Sequence, residues 1–237
     1  MPPERDFPAI LRKNPYPGRG IVLGQTPDGA RAVVVYFIMG RSENSRNRVF
    51  VTTADGIGIR PFDPDKLRDP SLVIYSPLRV IDGKTILTNG DHTDTIRDYL
   101  AAGKSLRDAL ETRTFEPDAP HYTPRISGLL EAGGRYSLSI LKTAAGTPGA
   151  ACRFFYEYPN PIPGRGHFIH TYAGEGNPLP SFTGEPLPLD TENDIHAFAR
   201  NIWESLQSDN KVALFVRYIT LETGDFDTVI INKNQEK

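Results

Sequence analysis

The chain has 237 residues, and its 27 Lys and Arg nearly balance 29 Asp and Glu, which leaves a formal net charge of -2. Such a chain has no overall field to attract a nucleic-acid polymer or an anionic membrane, so any bound anion must be held by a local cluster of donors. The one cysteine, Cys152, excludes an internal disulfide framework and a thiolate metal site, which fits a reducing, cytoplasmic compartment.

The chain shows no pattern typical of export or membrane insertion. Residues 1–14 lack the apolar core of a signal peptide. The longest apolar runs, such as residues 32–39, reach about half of the roughly 20 residues that a membrane-spanning helix needs. We therefore expect a soluble protein.

The first ninety residues read as a strand-rich, antiparallel half. Runs of β-branched and aromatic residues are separated by Gly, Pro or Asp, which is the pattern of strands joined by turns. The predicted strands are residues 21–24, 32–39, 49–53, 57–61, 72–80 and 85–88.

Helices are predicted next, and strands then return. After Asn89-Gly90, Thr93 or Asp94 can cap a helix, and residues 106–112 also have a helical pattern. A third helix is predicted over residues 124–132, because proline is tolerated in a first turn and Gly133-Gly134 would end it. Further strands are predicted over residues 136–141, 152–158 and 167–172.

The last quarter contains the clearest helix. Over residues 192–206 the apolar side chains recur at helical spacing, namely Ile195, Phe198, Ala199, Ile202 and Leu206. Residues 212–220 and 228–231 follow as closing strands. Separate runs of strands and helices favour an α+β fold, and the lack of a repeat or low-complexity linker favours one domain over residues 1–237.

One polar segment after the second predicted strand is suited to phosphate. Residues 41–48 hold three guanidinium groups, two hydroxyls and two amides, from Arg41, Ser42, Arg46 and Arg48 among others. Arginine binds phosphate through a planar fork of donors, and Ser and Asn can complete the oxygen shell. A solvated hairpin loop explains the same segment.

Two other segments are candidates for a site. Residues 89–95 lie at a strand-to-helix junction that can hold an anion, although a capped turn is the simpler explanation. Glu116 and Asp118 lie in a proline-rich stretch that could hold a carboxylate for proton transfer, although a rigid connector is the more common case. His92 has no second ligand at metal-binding spacing.

Five ordered motifs within residues 16–126 resemble the archaeal-type IMP cyclohydrolases. They are Tyr16-Pro-Gly-Arg19, Arg41-Ser with Asn47-Arg48, Ile74-Tyr75, Asn89-Gly-Asp-His-Thr-Asp-Thr-Ile96 and Thr123-Pro-Arg-Ile126. The resemblance implies an Ntn-hydrolase-like, four-layer αββα sandwich with two stacked, mainly antiparallel sheets. Residues 1–15 would be an N-terminal extension.

The resemblance also implies a reaction and a set of site residues. The substrate would be the formamidoimidazole carboxamide ribonucleotide, a small purine precursor that closes to IMP with loss of water, and neither a metal nor an organic cofactor would be needed. The implied catalytic residues are Arg48, Tyr75 and Glu116. The implied pocket residues from the matched motifs are Asn89, Thr93, Asp94 and Arg125.

Several alternatives stay open. The arginine loop and the segment from Asp118 to Thr123 are longer than the archaeal pattern, and the Pro- and Gly-rich residues 161–186 have no clear counterpart. The chain could instead be a purine-nucleotide-binding protein without turnover, or an amide hydrolase on another small substrate. The apolar helix faces fit either a core or subunit contacts, so a homo-oligomer also stays open.

Overall fold

The computed structural model describes residues 5–234. The first half contains α1 (Phe7–Lys13), β1 (Arg19–Gln25), β2 (Arg31–Met39), α2 (Glu43–Arg46), β3 (Arg48–Thr53), β4 (Gly56–Pro61), β5 (Leu78–Ile81), β6 (Lys84–Thr88), α3 (His92–Ala101) and α4 (Leu106–Glu111). The second half contains β7 (Arg125–Leu130), β8 (Tyr136–Ala144), β9 (Thr147–Tyr158), β10 (Arg165–His170), β11 (Leu187–Asp190), α5 (Ile195–Ser205), β12 (Lys211–Thr220) and β13 (Phe226–Asn232). Short 3-10 helices span Pro64–Lys66 and Ala132–Gly134.

The strands form two antiparallel sheets. The six-stranded sheet has the order β11-β10-β1-β2-β12-β13, and the seven-stranded sheet has the order β3-β4-β5-β6-β7-β8-β9. Neighbouring strands pair antiparallel in both sheets, as in the central register of Tyr36 opposite Ile21 and Phe215. The predicted α+β class with two stacked antiparallel sheets is confirmed.

The alternation of side chains along β2 shows why both faces of a sheet are apolar here. Val34 and Tyr36 point into the core between the sheets, whereas Val35 and Phe37 pack on the other face, towards the helices. Successive side chains in a strand point to opposite faces, so a strand covered on both sides reads as a continuous apolar run.

Helices cover the outer face of each sheet. Phe7 of α1 and the predicted apolar stripe of α5 pack on the six-stranded sheet, while Ile96 of α3 and Leu110 of α4 pack on the seven-stranded sheet. The layers are therefore α, β, β and α. Kinship with the Ntn hydrolases, which the resemblance implies, stays a prediction.

The N-terminal residues contribute to one of these layers. Asp6 caps α1 by accepting a hydrogen bond from the Ala9 backbone N–H at 3.3 Å, and Phe7 lies against Phe168 of β10 with ring centroids 5.0 Å apart. The sequence did not predict this helix. Residues 1–4 of the predicted extension lie outside the described residues.

The helix predicted over residues 124–132 is wrong. Residues Arg125–Leu130 form β7, which pairs with β6 and β8 in the middle of the seven-stranded sheet. Ile126 and Leu130 face the other sheet, whereas Leu129 faces the helices. A short apolar run that is buried on both sides does not reveal its period, and Pro124 precedes the strand rather than starting a helix.

Two further boundaries differ from the prediction. The strand predicted over residues 72–80 is present only from Leu78, because the backbone N–H groups of Val73 and Ile74 turn back to the Pro70 carbonyl. Tyr75 therefore lies in a loop. Helix α3 begins at His92 with Asp91 as its cap residue, so the predicted caps, Thr93 and Asp94, lie inside its first turn.

Within residues 5–234, no helix is both long and apolar enough to cross a membrane.

Candidate active site

A cleft of about 360 Å³ opens where the loops at one end of the two sheets meet. Its walls come from residues 16–19, 41–45, 69–73, 116–123 and 172–179. Residues 16–19, 41–45 and 116–123 contain motifs or candidate residues that the sequence singled out, and residues 69–73 lie directly before the Ile74-Tyr75 motif. The fifth comes from the Pro- and Gly-rich stretch in the second half.

A glycine lets two walls of the cleft approach each other. Gly18 has φ of +77°, and a Cβ at this position would lie 2.5 Å from the Cδ2 atom of Tyr172. A side chain would therefore clash with the Tyr172 ring and strain the backbone as well. Directly after this turn, β1 begins with Arg19, which is buried at the base of the cleft.

Glu116 is a buried carboxyl group at the same base. It follows α4, and its backbone N–H donates to the Thr123 carbonyl at 2.9 Å. The side chain is 1% exposed, and its Oε1 atom has no hydrogen-bond partner among the described residues. Burial raises the pKa of Glu116 to about 7, against the opposing charges of Arg19 and Arg125. The group can therefore take up and release a proton near neutral pH.

Arg48 is the second buried charge with unused donors. Its Nε donates to the Ser45 carbonyl at 2.7 Å, which holds the guanidinium in place, while Nη1 and Nη2 have no partner within the described chain. Burial lowers the pKa of Arg48, and Tyr75 opposes that effect. Arg48 is not among the residues that line the cleft. Because an unpaired buried donor is costly, its Nη1 and Nη2 are available to an oxygen-rich ligand that reaches them.

Arg19 lines the cleft and is close enough to Glu116 and to Arg48 to influence both charges. Burial works against its charge, but Glu116, Tyr172 and Tyr75 together keep the pKa of Arg19 well above its ordinary value. Its Nε also lacks a partner among residues 5–234. A permanent cation next to Glu116 stabilises the carboxylate and can hold a developing negative charge.

A pair of tyrosines lies close enough to Arg48 to influence its pKa, although neither of them lines the cleft. The hydroxyl groups of Tyr36 and Tyr75 lie 2.7 Å apart in the core between the sheets. Burial, and then the neighbouring Tyr75, raise the pKa of Tyr36, so Tyr36 stays protonated and can donate. Tyr75 can then donate its own hydroxyl hydrogen to another acceptor. It is close enough to Arg48 and Arg19 to favour the charged form of both.

Arg125 lies behind Glu116. Its Nη1 contacts the Asp91 carboxylate at 2.6 Å and the Nδ1 atom of His92 at 3.1 Å. His92 Nε2 lies 3.2 Å from the Ile126 carbonyl, so this nitrogen carries the proton and Nδ1 accepts from Arg125. Burial and Arg125 lower the pKa of His92 to about 3, and the ring stays neutral.

The predicted phosphate segment is divided by the structure. Arg41 and Ser42 line the cleft, and the Arg41 guanidinium lies over the Tyr16 ring, 5.1 Å from its centroid. Arg46 points away, with its Nε donating to the Gly40 carbonyl at 2.9 Å and its Nη2 donating to Asn210 at 3.0 Å. The cleft therefore holds Arg41 and Ser42 but not the Arg46 side chain.

Three other predicted pocket residues are engaged in local structure. Asn89 uses both ends of its amide on backbone groups at the start of β7, at 2.8 and 2.9 Å. Thr93 donates to the Gly90 carbonyl at 2.9 Å. Asp94 pairs with Arg79 at 2.5 Å on the outside of the seven-stranded sheet. Asp94 is therefore neither the cap of α3 nor a residue that lines the cleft.

Three residues that line the cleft were given no individual role from the sequence. They are Arg19, Thr123 and Tyr172. Asp118 also lines the cleft, and it was predicted with Glu116 as a candidate carboxylate. A signal for Arg19 and Thr123 was present, since both stand in the matched motifs. Tyr172 lies in the Pro- and Gly-rich residues 161–186, which have no clear counterpart in the archaeal pattern, and it reaches the cleft through the pairing of β10 with β1.

Among the residues that the structure describes, no group of three His, Cys, Asp or Glu side chains could hold a metal ion.

Comparison with known proteins shows the family of the chain. A family model described as IMP cyclohydrolase-like protein matches residues 16–224, which is most of the chain. The chain belongs to the IMP cyclohydrolase-like family. The resemblance predicted from the five motifs is confirmed, and the match extends through the second half, where the motifs were unclear.

Named relatives of the family are archaeal. The IMP cyclohydrolase of Methanopyrus kandleri is 31% identical over 184 residues, which cover 76% of this chain and 85% of that protein. The IMP cyclohydrolases of Methanococcus aeolicus and of Methanococcus maripaludis strain C7 are 32% and 34% identical over 124 and 126 residues. These two alignments cover 51% of this chain and 61% of each relative.

Proposed function

We propose that this chain is an IMP cyclohydrolase, which closes the formamidoimidazole carboxamide ribonucleotide to IMP and releases water. The observation that carries the proposal is the base of the cleft. Buried Glu116 and buried Arg19 line it, and Arg48 is close enough to Glu116 to lower its pKa. Each of these three side chains has polar atoms without a partner in the described chain. Membership of the IMP cyclohydrolase-like family supports the same reaction.

The reaction needs only positioning and proton transfer. The carboxamide nitrogen attacks the formyl carbon, a carbon–nitrogen bond forms, and the proton that leaves the nitrogen goes to the formyl oxygen. The hydroxyl group formed in this way then leaves as water with a second proton, which comes from the formamide nitrogen. Holding the carboxamide and formamido groups together, and stabilising the negative charge that develops on the formyl oxygen, can supply most of the acceleration.

Glu116 is assigned the proton transfers. Because burial raises its pKa to about 7, the carboxylate can accept the proton of the attacking nitrogen and pass it to the formyl oxygen at neutral pH. It can then carry the proton of the formamide nitrogen to the departing hydroxyl group in the same way. An ordinary glutamate would be too weak a base for this step. General acid or base help of this kind is typically worth about 100- to 10,000-fold in rate.

Tyr75 and Arg48 are assigned to the formyl oxygen. With Tyr36 as the donor of their shared hydrogen bond, Tyr75 can donate its own hydroxyl hydrogen to the formyl oxygen as negative charge develops. The free Nη1 and Nη2 of Arg48 supply a cation that needs no rearrangement, since its Nε is already fixed by the Ser45 carbonyl.

Arg41 and Ser42 are assigned to the ribonucleotide phosphate. Both line the outer part of the cleft, where a charged phosphate can stay partly hydrated. Arginine can bind it with two parallel hydrogen bonds. A small purine ribonucleotide as ligand and a cytoplasmic location are parts of the same proposal.

The test is to incubate the purified protein with the formylated ribonucleotide and follow IMP formation by absorbance. We expect turnover by the wild-type chain and a loss of about 100-fold or more in kcat for Glu116→Gln. Glu157→Gln is the matched control, because Glu157 is an exposed glutamate on β9. Tight nucleotide binding without turnover would favour a non-catalytic binding protein, and hydrolysis of a simple amide without IMP formation would favour an amidase.

A further inference from the structure

Tyr172 lies in the cleft at the end of a chain of hydrogen bonds that no step above uses. Its hydroxyl group is 2.5 Å from the Thr123 Oγ1 atom, and Thr123 Oγ1 in turn donates to the Asp118 carboxylate. All three residues line the cleft.

The number of available protons decides which group donates in each of these hydrogen bonds. Asp118 also accepts the Thr123 backbone N–H at 2.6 Å, so its carboxylate is an acceptor for both groups of Thr123. A threonine hydroxyl has one proton, and here the proton goes to Asp118. The Thr123 oxygen must then accept from Tyr172, so the Tyr172 oxygen is left with acceptor capacity only.

The Tyr172 ring has little freedom to turn away. It stacks on Tyr16 with centroids 5.9 Å apart, and the absent side chain of Gly18 leaves room for it. Its backbone N–H donates to the Pro17 carbonyl at 3.1 Å. Burial raises the pKa of Tyr172 to about 12, so the phenol keeps its proton at neutral pH.

The acceptor oxygen of Tyr172 lies near the groups assigned to the reacting end of the ligand. Tyr172 and Glu116 influence each other's charge, and Arg19 lies within reach of both. An acceptor next to a proton-transfer group suits an N–H group of the ligand. A purine ribonucleotide with a 6-oxo group has such a donor at N1–H. A 6-amino purine has an unprotonated N1 and therefore no donor there.

We propose that Tyr172, with its hydroxyl oriented by the positioning residues Thr123 and Asp118, accepts a hydrogen bond from the purine N1–H and so selects IMP over AMP. The inference rests on the proposed function and adds a specificity determinant to it. The N1 atom of IMP is the former carboxamide nitrogen, so the same contact orients the attacking group of the substrate. With AMP, the Tyr172 oxygen would face the lone pair of N1, and both acceptors would stay unpaired.

The experiment measures the Kd values of IMP and AMP by calorimetry. We expect wild type to bind IMP at least about tenfold more tightly than AMP, and we expect Tyr172→Phe and Thr123→Val to reduce that ratio by about tenfold. Thr123→Ser keeps the hydroxyl group and should keep the ratio. Tyr156→Phe is the control, since the Tyr156 hydroxyl donates to the Gly184 carbonyl at 2.8 Å outside the cleft.

The outcomes separate this inference from the proposed function. The role of the hydrogen bonds would be overturned if Tyr172→Phe bound IMP with an unchanged preference over AMP. It would also be overturned if Thr123→Ser and Thr123→Val lost that preference equally. Either result would leave the cyclohydrolase proposal standing. Failure of the wild-type chain to bind either nucleotide would contradict both. If Tyr172→Phe does not fold, the Thr123 pair decides the matter, because valine has the shape of threonine.

Discussion

Replacing Glu116 with glutamine should change how the stability of the protein depends on pH. In the folded chain the pKa of Glu116 is about 7 because the carboxyl group is buried, whereas its ordinary value is 4.5. Between these two values the folded chain binds more protons than the unfolded chain, so the free energy of unfolding falls as pH rises. The contribution is fully present below about pH 4.5 and is lost as pH passes through about 7.

The size of the effect follows from the two pKa values. A difference from 4.5 to about 7 corresponds to about 3 kcal/mol, of which about 2 kcal/mol falls between about pH 5 and about pH 8. Glutamine stays neutral in both states and does not lose this contribution. Relative to wild type, Glu116→Gln should therefore become more stable by about 2 kcal/mol across that range.

The measurement is urea unfolding of both proteins at a series of pH values, with Glu157→Gln as the exposed control. The control should follow the wild-type curve. A constant difference between Glu116→Gln and wild type at every pH would refute the reasoning, because it would mean that the Glu116 carboxyl group ionises equally easily in the folded and unfolded chain.

Two further predictions concern the base of the cleft. Tyr75→Phe should lower kcat for IMP formation by about 100- to 1,000-fold, as loss of an oxyanion donor does. Tyr156→Phe should leave kcat unchanged. A small increase in KM of Tyr75→Phe with unchanged kcat would rule out the oxyanion role. Gly90→Ala should lower kcat/KM by about tenfold or more, since its Cβ would lie 2.7 Å from Arg125 Nη1 and displace the groups behind the carboxylate. Gly149→Ala, which has open space, is its control, and equal activity of the two variants would argue against that displacement.

The sequence predicted the elements in which the spacing of apolar side chains fits only one kind of secondary structure. The α5 stripe was identified because Ile195, Phe198 and Ile202 recur at helical spacing, and all three pack on the six-stranded sheet. Strand β7 was missed because a strand covered on both faces has no polar alternation, and its flanking proline and glycines fit a short helix equally well. Burial on two sides therefore removes the pattern that identifies a strand.

The site was predictable only where its residues lie in local motifs. The positions of Arg48 and Glu116 could be marked from the sequence, but their burial, their free donor and acceptor atoms and the pKa of Glu116 depend on the stacking of two sheets. Tyr172 is separated from Thr123 by 49 residues, so the contact between their hydroxyl groups could not be read from spacing. In contrast, Asp94 shows that a residue of a matched motif can pair with a neighbouring strand, here with Arg79 of β5, rather than line the cleft.

The most direct test of the central claim is the pH dependence of kcat/KM for IMP formation by wild type and by Glu116→Gln. If buried Glu116 is the base that accepts the proton of the attacking nitrogen, kcat/KM of the wild type should rise with pH through an apparent pKa near 7 and then level off. The glutamine variant should show low activity without that rise. A wild-type profile that is flat through neutral pH, or a Glu116→Gln variant that retains both the rate and the rise, would contradict the assignment of Glu116.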